Sequence, residues 1–306
     1  MKKHSILVSG GSGFVGKHLC DYLRKNGVDI IDGGNSTKDS RSAIDVTDLS
    51  QLLSIGDDVE AVIHLAAKTS VNDSFFSPRD TYYTNLVGTL NLLELARKKK
   101  IPKFLNISTY VYGQPQYSPV DERHPVDPRS PYNRSKLLAE QLCQSYSDDF
   151  DMDIVSLRPF YLYGSIPRPN SFIYCVLEQI IKKNGNVILS GESTRRDFLF
   201  IDDFINLIEV ILNNFPVGYN LYNVGYGKSH LLTDVCRILA KLLKKKIHFN
   251  YDNQMRPGDI TDMVADVTKV STEFNWKPTT SLKQGLGRTV EEYTNAHRHK
   301  YGSLLQ

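Results

Sequence analysis

Apolar runs of four or five residues recur through the first half of the chain, and most of them stop at a small, hydroxylated or acidic residue. Ser5-Ile-Leu-Val-Ser9 reads as a buried strand, and it runs into Gly10-Gly-Ser-Gly13-Phe-Val-Gly16 and a helical pattern reaching about Asn26. A second strand over Val28 to Ile31 ends at Asp32. Ala43 to Val46 reads as a short third strand, and Ala61 to Leu65 as a fourth that passes into Ala66-Ala67. A long helical pattern from about Asp80 carries Leu86, Leu90 and Leu93 on one face. Phe104 to Ile107 is a strand that stops at Ser108 and Thr109. A helix from Tyr132 to about Tyr146 then precedes a sixth strand, Ile154 to Leu157. Strands alternating with helices predict an α/β fold, a Rossmann-type doubly wound parallel sheet.

After Arg158-Pro-Phe-Tyr-Leu-Tyr-Gly164 the rhythm breaks. The pattern predicts a helix over Ser171 to Lys183, short strands at Val187 to Leu189 and Phe198 to Ile201, and a helix opened by Asp202-Asp203. A closing helix runs from Ser281 to about Ala296, and His297 to Gln306 reads as a frayed tail. Residues 1–164 are therefore expected to form a dinucleotide-binding domain that also holds the candidate catalytic residues. Residues 165–306 are expected to form mainly a smaller, mixed substrate domain over the crevice, partly interleaved with the first.

Composition narrows the partners. At 306 residues with a net charge of +3, the chain is too weakly basic to suggest nucleic acid or a membrane surface. The runs Lys98–Lys100 and Lys244–Lys246 follow helical patterns and fit solvated helix ends, where the dipole favours cations. The four cysteines, Cys20, Cys143, Cys175 and Cys236, form no CxxC pair and sit among apolar neighbours. They read as free thiols in a reducing compartment, and no metal site is expected. No run approaches the ~18 apolar residues of a membrane span, and the N-terminal apolar run is too short for a signal segment, so a cytoplasmic protein is expected.

Three features carry chemistry. Gly10, Gly13 and Gly16 lie between a strand and a helix. There they allow a tight turn, close backbone approach to a pyrophosphate and free N–H groups at the helix start. Asp32 follows about 20 residues into the unit, where a carboxylate can bind both hydroxyls of an adenosine ribose and repels a 2′-phosphate, favouring NAD over NADP. Lys38 and Arg41 stand nearby in sequence. Tyr132 and Lys136 are four apart on a helix, so phenol and ammonium share a face, and the cation favours a phenolate able to act as a base. Ser108, ending a nearby strand, could share the same substrate proton. His64, inside its strand, reads as a core histidine rather than a ligand.

The motifs GGSGFVG, HLAA (His64–Ala67), NLVGT (Asn85–Thr89), STYVYG (Ser108–Gly113), YNRSK (Tyr132–Lys136), RPFYLYG, RRDFLFIDD and RPGD occur in one order along nearly the whole chain. On them the chain resembles the extended short-chain dehydrogenase/reductase family, within it the NAD-dependent nucleotide-sugar epimerase/dehydratase group. The resemblance implies that Gly10, Gly13, Phe14, Val15 and Gly16 hold the pyrophosphate, with Asp32 on the ribose and Asp45 and Val46 edging the adenine. Leu65, Ala66, Ala67 and Lys68 would line the middle of the dinucleotide, with Asn85 behind them. Ser108, Tyr132 and Lys136 would be the catalytic trio. Ser70 and Val71 would face the sugar, Arg196 and Arg256 the two phosphates, and Asn170 would touch the same ligand.

Departures from the family pattern bear on the reaction. Family members that eliminate water or carbon dioxide carry an acidic side chain before VYG, whereas this chain has Thr109 and Tyr110. The usual RPFN is here RPFY, so Tyr161 stands where an asparagine touches substrate. These residues imply an NAD-dependent nucleotide-diphosphate-sugar 4-epimerase working through a transient 4-keto-sugar. Tyr132 would take the C4 hydroxyl proton, and a homodimer would form through the Leu86 and Tyr132 helices. A 4-ketoreductase or dehydrogenase consuming NAD(P)H uses the same trio and stays open, as does a dinucleotide sensor without turnover.

Overall fold

The computed structural model describes residues 5–33, 44–164, 170–252 and 260–301. Its centre is a six-stranded parallel sheet in the order β2-β1-β3-β4-β5-β9. The strands are β1 (Ser5–Ser9), β2 (Asp29–Gly33), β3 (Val59–His64), β4 (Lys103–Ile107), β5 (Ile154–Pro159) and β9 (Tyr219–Val224). Every pairing in it is parallel. Side chains alternate across the sheet, and both faces are covered. Ile6, Val8, Ile63, Leu105 and Leu157 face a core shared with the helices Phe14–Lys25 and Ile201–Asn213. Leu7, Val62, Phe104 and Ile154 face the opposite core, built with Gly88–Lys99 and Pro131–Phe150. Two-sided burial explains why these strands read as unbroken apolar runs.

The chain moves outward from β1 to β2, then returns to β3 on the other side of β1. That reversal leaves a crevice at the carboxyl ends of β1 and β3, where open α/β sheets bind ligands. Gly10 leaves β1 with φ +75°, and a Cβ there would lie 2.6 Å from the Ala66 amide nitrogen. Only glycine admits both the left-handed backbone and that approach.

The second half adds two small sheets and closes the first. β6 (Tyr161–Tyr163) pairs in parallel with β8 (Arg195–Phe200), which pairs antiparallel with β10 (Ser229–Leu231). β7 (Asn186–Leu189) pairs in parallel with β11 (His248–Tyr251). Buried Asp197 ties these parts together by accepting the amides of Tyr226 (2.7 Å), Gly227 (3.0 Å) and Ala265 (3.1 Å). Burial nevertheless raises its carboxyl to about 6.

Four expectations change. Residues 44–46 of the predicted third strand are loop and turn: Asp45 accepts the Thr47 amide and hydroxyl, and Asp48 caps the helix Leu49–Leu53. Ala43 lies outside the described residues. The sixth strand of the main sheet is Tyr219–Val224, which Asn220 and Asn223 hide by breaking its apolar run. The helix predicted from Asp80 begins at Pro78 and contains a π turn, Tyr83–Val87, before continuing over Gly88–Lys99. The closing helix runs through His297 to Tyr301, past the predicted start of the tail.

Candidate active site

The glycine turn is built by backbone contacts. Gly13 donates to the Gly10 carbonyl at 3.0 Å, and the helix Phe14–Lys25 starts at once with Gly13 as its N-cap. A Cβ on Gly16 would meet the Gly10 carbonyl oxygen at 2.2 Å, and one on Gly11 would meet the Asp32 carboxylate at 1.8 Å. The carboxylate therefore lies directly over the turn, where Arg24 approaches it at 3.5 Å. Phe14 and Val15 are half-buried at the helix start. A cradle that a Cβ would fill, an acid beside it and the start of a helix fit a dinucleotide.

Opposite the turn, Leu65, Ala66 and Ala67 are half-buried and Lys68 is exposed. Buried Asn85 stands behind this wall. Its Oδ1 accepts the Lys68 amide at 2.7 Å, and its Nδ2 donates to the Lys68 carbonyl (3.1 Å) and to Ser135 Oγ (2.8 Å). The π turn is what brings Asn85 to this spot, and such turns favour functional positions. Val46 packs into the core against Gly88, with its carbonyl taken by Asn91, and Asp45 stays exposed in its turn.

The catalytic candidates meet where β4 ends beside the helix Pro131–Phe150. Ser130 caps that helix through the Asn133 amide, and Pro131 sits at its first position. Tyr132 is half-exposed and lines a cavity of about 590 Å³. Lys136, one turn on, is 1% exposed. Burial lowers its ammonium to about 8, against the raising effects of Cys143 and Glu140. Glu140 in turn holds Arg158 by a two-pronged pair, with Nε at 3.0 Å and Nη2 at 2.6 Å, and Arg158 donates to the Tyr112 hydroxyl at 2.8 Å. Buried Ser108 Oγ has no hydrogen-bond partner among the described residues. A desolvated hydroxyl left this way asks for a ligand atom.

The cavity also takes in Thr109 and Tyr110, neither of them acidic, together with Ser70 and Val71. Ser70 caps the short helix Val71–Phe76. Asn170, at φ +66°, and Arg196 line its far part, where Arg196 donates to the Arg195 and Ile260 carbonyls. Tyr161 accepts the Phe172 amide at 2.8 Å, so it anchors the start of the helix Phe172–Lys182. Arg256 lies outside the described residues. Sequence reasoning missed Asn133, Phe172, Gln179 and Ile188, all of which line the cavity. Of these, only Asn133 belonged to a recognised motif.

Among the described residues no cluster of His, Cys, Asp or Glu could hold a metal, and no helix is long and apolar enough to cross a membrane. Leu93 is fully buried in its own core, whereas Leu86 and Leu90 are half-buried. Phe75, Phe76, Tyr83, Leu138 and Phe150 expose 40% or more of their surface on the neighbouring helices, Phe76 as much as 87%.

A sequence model of the NAD dependent epimerase/dehydratase family matches residues 6–225. A UDP-glucuronate 4-epimerase of Thermodesulfobacterium geofontis is 33% identical, over 93% of this chain and 94% of its own. A dTDP-glucose 4,6-dehydratase of Haemophilus influenzae is 28% identical, over 94% of this chain and 97% of its own. The crystal structure of a UDP-glucuronic acid 4-epimerase from Bacillus cereus, in complex with UDP-glucuronic acid and NAD, superposes with a TM-score of 0.85. It shares 31% identity and covers 95% of this chain and 99% of that one.

Proposed function

This chain belongs to the NAD dependent epimerase/dehydratase family, and from that premise we propose that it inverts carbon 4 of a UDP-linked sugar with NAD as a recycling cofactor. The observation that carries the choice of reaction is the pair Thr109 and Tyr110. They line the same cavity as Tyr132, at the positions where expulsion of water calls for a carboxylic acid. A threonine hydroxyl is too weak an acid near neutral pH, and a phenol lacks a carboxylate's charge. Bound NAD supplies the hydride acceptor and, in the return step, the donor.

The protein's own groups do the rest. Tyr132 takes the proton from the C4 hydroxyl and gives it back after the keto-sugar has turned over. Lys136 as ammonium favours the phenolate. Ser108 Oγ donates to the sugar oxygen at C4. The glycine turn holds the pyrophosphate, Asp32 the adenosine ribose, and the Asn85-braced segment 65–68 the middle of the dinucleotide. Arg196 faces the UDP diphosphate, and Arg256 is proposed with it from the resemblance alone. Ser70, Val71, Asn170 and Tyr161 line the sugar and diphosphate path.

The exposed aromatic and leucine side chains beside the helices Gly88–Lys99 and Pro131–Phe150 support a homodimer. Light scattering at micromolar concentration tests it, and a monomer there would refute it. The buried thiols of Cys20, Cys143 and Cys236 fit a reducing, cytoplasmic setting, whereas Cys175 is exposed.

The reaction is tested by incubating UDP-, dTDP-, GDP- and CDP-sugars, uronates included, with enzyme and NAD. A product of unchanged mass with inverted C4 is expected. A gain of two hydrogens with consumption of NAD(P)H would make the protein a ketoreductase instead.

A further inference from the structure

We propose that His64 is a positioning residue, setting the cofactor-facing wall of residues 65–68 in register with the helix that carries Tyr132. The proposed reaction uses Tyr132, Lys136 and Ser108 but leaves this fully buried imidazole without a part. Its surroundings give it one. Ser9 Oγ, at the end of β1, receives the amides of Leu65 (3.2 Å) and Ala66 (3.3 Å) and stands 2.8 Å from His64 Nδ1. On the other side His64 Nε2 stands 2.9 Å from Thr89 Oγ1, which donates to the Asn85 carbonyl at 2.6 Å.

Proton counting fixes the direction of each bond. The Thr89 proton is spent on Asn85, so Thr89 must accept from His64, and Nε2 carries the hydrogen. Ser9 takes two amides as acceptor, so its own proton goes to Nδ1. His64 is therefore the neutral Nε2–H tautomer. Full burial agrees, lowering its pKa to about 3, and the Lys136 charge adds to the effect. An imidazolium could not accept from Ser9, and no other side chain of this size offers one acceptor and one donor on opposite edges.

The chain of bonds does not stop at Asn85. The same asparagine grips both backbone groups of Lys68 and donates to Ser135 Oγ, which donates to the Tyr132 carbonyl at 2.8 Å. Two runs of hydrogen bonds, joined through the covalent frame of Asn85, thus connect Leu65 and Ala66, at the cofactor wall, to the backbone of Tyr132. His64 is the middle link of the first run. Hydride transfer is sensitive to misplacement of donor and acceptor, so a link that fixes this register acts on the rate without touching substrate.

The inference rests on the epimerase reading, and the test separates the two. Thr89→Val removes one hydroxyl at constant shape. His64→Asn keeps an acceptor near Ser9 but gives up the reach to Thr89. Each should weaken NADH binding, read by nicotinamide fluorescence, about tenfold and lower kcat about tenfold, as expected for one buried hydrogen bond. UDP affinity should stay within about twofold in both, and the double variant should be little worse than either single one, because both cut the same path. Variants that lose only thermal stability, with NADH affinity and kcat unchanged, would overturn the proposal and leave His64 a packing residue. If the wild type binds NADH but epimerises nothing, the reaction reading fails while the NADH arm still decides the role of His64.

Discussion

The cofactor side and the substrate side of the site are built differently. On the cofactor side, the functional side chains stand at the ends of sheet strands or on the helices beside them, and Asn85, His64 and Lys136 are fully buried. Asn85 makes three hydrogen bonds, His64 two, and Lys136 sits beside the Glu140–Arg158 pair in the core. On the substrate side, Asn170 sits in a turn at positive φ, and Arg196 lies on a short strand of a three-stranded sheet. Tyr161 accepts the amide of Phe172 at the start of a helix. The chemistry is set on rigid ground, and the surface that chooses the sugar is carried by small sheets and loops, where change costs the fold little.

The largest effect should come from removing the proton acceptor. Tyr132→Phe should lower kcat by about 10²–10⁴-fold while NADH affinity and melting temperature hold, as checked by steady-state kinetics and fluorescence titration. Equal loss of cofactor binding would mean that the Tyr132 hydroxyl holds the dinucleotide rather than serving only as proton acceptor.

Next comes the buried pair. Glu140 and Arg158 are both under 5% exposed, and Glu140→Gln leaves the guanidinium charge uncompensated, so denaturation should show a loss of about 3–5 kcal/mol. A change of the same size in chemical denaturation for Arg196→Ala would break the comparison, since the substrate side is not expected to carry the fold. Arg196→Ala should instead raise KM for the UDP-sugar about tenfold and leave uridine affinity unchanged, because one charge-assisted contact to phosphate is lost.

The smallest effect is a pH shift. The folded value for Lys136, about 8, lies below the ordinary lysine value of 10.5, chiefly through burial. Between these values the folded state binds fewer protons than the unfolded one, so this group alone makes the fold more stable as pH rises. Activity should move the other way and fall above about pH 8 as the ammonium discharges. Because Glu140 raises the Lys136 value, Glu140→Gln should move that alkaline limb to lower pH wherever the variant stays folded.

The cofactor side was also the legible one. Strands buried on both faces leave continuous apolar runs, the glycine turn follows from sterics, and Tyr132 and Lys136 declare themselves by helical spacing. Ala43 to Val46 misleads because its apolar residues outweigh Asp45 within it and Asp48 just after it, which make a turn and a helix cap. Tyr219–Val224 escaped because Asn220 and Asn223 break the apolar run, although Asn223 is buried and bonded to the Val120 carbonyl. Asp197 gathers three backbone amides from distant segments, a role that only the folded chain reveals. His64 is the core residue its place in a strand predicts, but which groups flank a buried imidazole depends on long-range packing that spacing does not record. The same limit hid Phe172, Gln179 and Ile188.

The central claim is redox inversion at carbon 4 without loss of water, and UDP-(4-²H)glucose, or the best substrate of the panel labelled at the same carbon, tests it most directly. After incubation with enzyme and NAD in ordinary water, the account predicts a product with C4 inverted, unchanged mass and the deuterium still on carbon 4, with no net NADH formed. Deuterium lost to solvent, a product lighter by one water, or stoichiometric NADH would contradict it.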